Sequence, residues 1–273
     1  MSTVLDGLAA DYPLLYLNAE TDTQESYRRV VLKGEDPELK SLDHYFGSPA
    51  DRDEFIDTPA GPVRVVTLGN RQDFELVMRG FMASKDGPLA PVPESQGAAT
   101  LTAFNWPRIH AYLEQFPLEE KAAQFKRFIS VRENYLDMLI ILSRGPYSNA
   151  PASAAGCSEE EWLELSDTIR RYHELTHVIC RRMYPDDIDP VRDEMVADAV
   201  GLYAAYGDFD PEMEKLFLGI RGDKYIGGRL ENYTKEAEKI AGLISTELDL
   251  YKGMIDAHKG ADPFALIPLL MEK

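Results

Sequence analysis

Cysteine is nearly absent from this chain: Cys157 and Cys180 are the two in 273 residues. That excludes a disulfide framework, and a chain of this length can bury an adequate core without one. Long apolar runs are missing too. The longest, Met138-Leu-Ile-Ile-Leu142, falls far short of the roughly 20 residues that span a bilayer. Basic residues number 29 against 47 acidic ones, for a formal net charge of -18. Phosphates are neutralised by clustered Lys and Arg, so no nucleic acid and no membrane surface is expected as a partner. The first residues, Met1-Ser-Thr-Val-Leu-Asp-Gly7, lack the basic segment and apolar stretch of a secretion signal, which points to the cytoplasm. With 44% hydrophobic residues spread along its length, the chain is expected to be globular rather than disordered.

The first hundred residues read as a mixture. Glu25 to Lys33 suggests a short helix, and Gly61 to Leu68, rich in valine and flanked by turn formers, suggests a strand followed by a helix from Gln72 to Met82. Pro, Gly and Ser between Ser84 and Gly97 predict a loop, and Ala98 to Phe104 a second strand that pairs with the first. From Pro107 apolar residues recur at helical spacing through Ile109, Leu113, Phe116, Phe125, Phe128, Tyr135 and Leu139. The expected fold is therefore α+β and helix-rich, with a mixed α/β region over 1–106 and a helical domain over 107–273. The small-residue stretch Gly145 to Gly156 reads as an exposed or mobile connection.

Ser158-Glu-Glu-Glu161 is a capping box that should open a helix ending near Pro185. Trp162, Leu165, Ile169, Tyr172, Thr176, Ile179 and Met183 form its apolar stripe. Within it, His173 and His177 are four residues apart, so both imidazoles leave one face and can reach a single cation. Glu174 is offset by about 100° from His173, which suits a base that holds a water on the metal without ligating it. Cys180, one turn beyond His177, is a further thiolate candidate or a small core residue. The competing reading is two solvated histidines and an unrelated glutamate, against which the apolar neighbours Tyr172, Thr176 and Ile179 argue.

A catalytic zinc takes three protein ligands and leaves one position open. Asp189-Pro190 reads as an N-cap and first helical residue, opening a second helix to about Tyr206 before Gly207. Glu194 and Asp198 share a face of it. An antiparallel return would bring Glu194 to the histidines as third ligand and Asp198 to the outer nitrogen of one of them. Small residues at Ala197, Ala199 and Gly201 would let the helices approach closely.

His173-Glu-Leu-Thr-His177 with Glu194-Met-Val-Ala-Asp198 resembles the gluzincin branch of zincin metallopeptidases, including the thermolysin-like enzymes. The resemblance implies a zincin-like metallopeptidase domain with one Zn2+ on His173, His177 and Glu194, Glu174 as general base and Asp198 as support. It covers about 35 residues, and the interval from His177 to Glu194 is shorter than in the thermolysin-like enzymes, so the turn must be tighter. Oxyanion stabilisation needs a further donor, for which Arg229 and Tyr233 are candidates. The expectation is a zinc-dependent hydrolase acting on a peptide or protein substrate. The alternatives are a metal-binding regulatory or binding module of zincin type without peptidase activity, and a helical interaction protein without metal.

Overall fold

A computed structural model describes residues 3–17, 24–36, 42–82, 91–94, 96–186 and 189–272. Most of the loop expected between Ser84 and Gly97 lies outside them. The chain packs as two compact units, one of Met1–Phe55 with Arg64–Ser143, the other of Ile56–Val63 with Arg144–Lys273. The sequence suggests a change of character at 106/107. The boundary between the units lies instead at 143/144, because the segment beyond Pro107 still contributes a central strand to the first unit's sheet.

In the first unit the order is α1 (Thr3–Asp11), α2 (Gln24–Tyr27) continuing into a π-turn over Arg28–Leu32, β1 (Arg52–Ile56), β2 (Val63–Leu68), α3 (Arg71–Met82), β3 (Ala98–Phe104), α4 (Trp106–Leu113), α5 (Leu118–Phe128) and β4 (Leu136–Ser143). The four strands form one sheet in the order β1-β2-β4-β3. Val65 of β2 faces Ile140 of parallel β4, and Thr100 of antiparallel β3 faces the same residue from the other side. The two predicted strands are thus present but do not pair: β4 lies between them. The helical pattern read onward from Tyr135 to Leu139 runs instead into this strand. Its continuous apolar run is what a strand buried on both faces requires, and Leu139 to Leu142 are fully buried. Asp137 at its start accepts hydrogen bonds from Tyr12 Oη at 2.8 Å and Asn105 Nδ2 at 3.0 Å and pairs with Arg108, tying α1 and α4 to the sheet.

The second unit is helical apart from a short ribbon: α6 (Ala152–Ala155), α7 (Glu159–Met183), α8 (Pro190–Tyr206), α9 (Pro211–Leu218), β5 (Ile220–Arg221), β6 (Lys224–Tyr225), α10 (Ala237–Asp256) and α11 (Leu266–Met271). Ser158 caps α7 by accepting from Glu161 N, and the helix stops two residues before Pro185. Asp189 caps α8, Pro190 follows it, and Gly207 closes the helix in the left-handed region at φ +67°. The buried face of α7 is wider than its apolar stripe, for it includes Ser166, Arg170, His173 and His177, whereas Met183 at the end is 48% exposed. Helix α8 is buried almost throughout, as befits the central helix of the unit. Arg192 near its start donates to the carbonyls of Leu270 and Met271 at the end of α11, which satisfies helix-end acceptors. The whole chain is α+β and helix-rich, and among the described residues no helix is long and apolar enough to cross a membrane.

Candidate metal centre

Helices α7 and α8 run antiparallel, with contacts stepping from His177–Asp193 through His173–Asp198 to Ile169–Gly201. The last sets their separation. A Cβ at position 201 would lie 2.7 Å from the Ile169 carbonyl oxygen, so only glycine permits this approach. Ala197 and Ala199 are fully buried on the same helix.

The close approach brings His173, His177 and Glu194 together, and these three can hold a metal ion. The Nε2 atoms of the two histidines are 3.0 Å apart, and the Glu194 carboxylate lies 3.2 Å from that of His177 and 3.5 Å from that of His173. Ligands at about 2.0–2.1 Å around a tetrahedral zinc are roughly 3.3 Å from one another. The fit extends to protonation. His173 Nδ1 lies 2.8 Å from Asp198 Oδ1, and His177 Nδ1 lies 2.8 Å from Asp193 Oδ2. A carboxylate can only accept, so each Nδ1 carries the proton and each Nε2 turns a lone pair inward. Three acceptors then converge in a buried space, and Glu194 Oε2 finds no donor among the described residues. As bare acceptors such a set is repulsive, so without metal a proton on His177 holds it together, and a metal ion can take that proton's place.

Charge points the same way. Asp193, Glu194 and Asp198 are 9% exposed or less, and the guanidinium of Arg229 offsets one of their three negative charges. The remaining two match a divalent ion. Burial acts to lower the pKa of His177, but Asp193 and Glu194 outweigh it and push it up to about 10. Burial acts to raise that of Glu194, and the two histidines and Arg229 hold it down at about 2. Cys180 is buried and is not one of the convergent ligands.

Glu174 lies half-buried on α7 directly after His173. Arg229 reaches the site, but its terminal nitrogens are committed: Nη1 donates to Tyr147 Oη at 3.0 Å and Nη2 to Asp198 Oδ2. Nη2 is still 3.9 Å from Glu194 Oε2. Tyr233, one turn later, is half-buried; burial chiefly raises its pKa, Arg229 opposes this, and Glu194 and Asp198 add to it.

Two residues of the site do not stand out in the sequence. Asp193 is legible in principle, as the acidic neighbour of Glu194. Tyr147 is not: it lies in the stretch that reads as a mobile connection, yet it is 3% exposed. Its hydroxyl donates to Asp198 Oδ1 at 2.6 Å and lies 2.9 Å from His173 Nδ1. The stretch is held because Arg170 donates to the carbonyls of Gly145 and Pro146, Ser166 Oγ accepts from Tyr147 N, and Trp162 Nε1 donates to the Ala150 carbonyl.

A model of the family described as "Family of unknown function (DUF7005)" matches residues 13–252, which include every residue of the centre. The chain belongs to this family. No curated protein and no solved structure matches it. The buried centre of this DUF7005 chain is therefore read from its own geometry.

Proposed function

We propose that the chain is a zinc-dependent hydrolase, most simply a metallopeptidase, with a zincin-like arrangement of α7 and α8. The observation that carries the reading is the convergence of two Nε2 lone pairs and the Glu194 carboxylate, at separations of 3.0, 3.2 and 3.5 Å, with both Nδ1 atoms committed to carboxylates. His173, His177 and Glu194 would hold the ion. A zinc ion bound there supplies Lewis acidity and lowers the pKa of a coordinated water to about 7.

Glu174 provides the base. It follows His173 on the helix, is half-buried and is not one of the three ligands; in this reading its carboxylate takes a proton from the attacking water and passes it to the leaving amine. A purely structural metal site would not need this group. Tyr233 is the better placed of the two oxyanion candidates, because both terminal nitrogens of Arg229 are held by Tyr147 and Asp198, whereas the Tyr233 hydroxyl lies against the ligand Glu194.

The test is elemental analysis of protein purified without chelator, alongside cleavage of a quenched peptide library. Wild type should hold about one zinc per chain, His173→Ala should lose it, and Glu174→Gln should keep it while losing cleavage. Wild type without metal after zinc is supplied would overturn the reading. Stoichiometric zinc with no cleavage of any peptide would leave a metal-binding module and remove the peptidase.

A further inference from the structure

Behind His173, on the side away from its ligating nitrogen, lies a second layer of polar groups that the hydrolytic chemistry does not itself use. Asp198 is fully buried, and each of its oxygens is engaged. Oδ1 accepts from His173 Nδ1 at 2.8 Å and from Tyr147 Oη at 2.6 Å; Oδ2 accepts from Arg229 Nη2. Arg229 Nη1 closes the ring by donating to Tyr147 Oη at 3.0 Å, and its guanidinium carbon lies 5.4 Å from the centre of the Tyr147 ring. The phenol is thus donor to the carboxylate and acceptor from the guanidinium, which fixes its single proton.

The two outer residues arrive by separate and elaborate routes. Tyr147 precedes Ser148 and Asn149, two consecutive non-glycine residues in the left-handed region at φ 49° and 55°. That conformation is strained for a residue with a Cβ and is kept only where surroundings enforce it. Here Arg170, Ser166 and Trp162 enforce it from α7. Arg229 follows Gly227-Gly228, whose backbone crosses Gly219 so closely that a Cβ at 228 would lie 2.6 Å from the Gly219 Cα. Tyr147 Oη also lies 2.9 Å from His173 Nδ1, and Arg229 Nη2 lies 3.9 Å from Glu194 Oε2. Both end on Asp198.

The other ligating histidine has a lighter backing, with no buried guanidinium or phenol behind its carboxylate among the described residues and only the Cys180 thiol beside it. Asp193 Oδ2 takes His177 Nδ1, and Asp193 Oδ1 has no hydrogen-bond partner among the described residues. We infer that Tyr147 and Arg229 are positioning residues for the metal: they clamp Asp198 so that the His173 ring has one orientation, and the guanidinium draws charge from the carboxylate, leaving His173 the more neutral donor of the pair. This rests on the metal reading proposed for the same site. Polar groups that orient a ligating imidazole typically change metal affinity 10–100-fold when removed.

The test uses the full chain loaded with Co2+, whose visible absorption reports ligand geometry, together with the rate of metal loss to a chelator. Tyr147→Phe should bind one ion, release it about tenfold faster and show a changed spectrum. Arg229→Gln should do so more strongly, and Arg229→Lys should recover part of the effect because it restores the charge without the forked geometry. Spectra and release rates equal to wild type in all three, with only thermal stability reduced, would assign the clamp to folding alone and overturn the inference. Failure of wild type itself to bind Co2+ or Zn2+ would instead remove the metal reading, and this inference with it.

Discussion

Nδ1 of His177 lies 2.8 Å from Oδ2 of Asp193, the residue immediately before Glu194. One turn of α8 therefore supplies both a ligand and the group that orients the neighbouring ligand. Asp193→Asn removes the charge but offers an amide oxygen that can still accept from Nδ1, whereas Asp193→Ala removes the acceptor. Zinc affinity, measured by competition with a chelating dye, should fall modestly for the first and about 10–100-fold for the second. Equal affinities for all three would show that His177 needs no orientation.

Binding of the ion should be coupled to protons. His177 is pushed up to about 10 in the chain without metal, burial opposing and Asp193 and Glu194 prevailing. A proton therefore holds the place of the ion at neutral pH and must leave when the ion enters. Because the raised pKa lies above the working range, apparent affinity should climb with pH from 6 to 8 by about tenfold per unit for one proton. Calorimetry at pH 7 in buffers of different ionisation enthalpy should count close to one proton released, and a count of zero would contradict the assignment.

The second unit is largely legible in the sequence because its signals are local. Caps at Ser158 and Asp189, prolines at 185 and 190 and the glycine at 207 bound α7 and α8 to within a residue or so, and periodicity then places His173, His177, Glu194 and Asp198 on facing sides. The first unit is less so. Leu139 to Leu142 satisfy a helical spacing on one side and a buried strand on the other, and only the partners Val65, Val66, Thr67, Thr100 and Ala99 decide between them. Tyr147 is illegible for a related reason. Small residues such as those from Gly145 to Gly156 normally mark an exposed loop, and here the order comes from Arg170, Ser166 and Trp162, side chains far along another element.

Glu214 should make stability depend on pH in the direction opposite to an ordinary salt-bridged acid. It is fully buried on α9, neither oxygen has a hydrogen-bond partner among the described residues, and its pKa lies well above the usual range, chiefly through burial and then through Asp198. A carboxyl whose folded pKa exceeds its unfolded one favours folding fully below about pH 4.3 and loses that contribution as pH rises toward the folded value. The loss is at most about 1.4 kcal/mol per pH unit for one proton. Glu214→Gln cannot ionise, so urea midpoints of variant and wild type should diverge in the variant's favour between pH 5 and 8. Parallel pH profiles would mean that Glu214 is ionised in the folded chain.

Gly219 and Gly222 separate the cost of a backbone conformation from the cost of a displaced site. Both have positive φ, +80° and +56°. At Gly222 nothing lies within 4 Å of an added Cβ, so Gly222→Ala should cost only the left-handed strain, about 1 kcal/mol. At Gly219 the Cβ would lie 2.4 Å from the Gly227 carbonyl oxygen, and the segment bearing Gly227, Gly228 and then Arg229 would have to move. Gly219→Ala should therefore lose stability beyond that of Gly222→Ala and should also release metal faster, because the guanidinium that holds Asp198 moves with the backbone. If the two variants release metal at the same rate, the crossing at Gly219 does not govern where Arg229 stands.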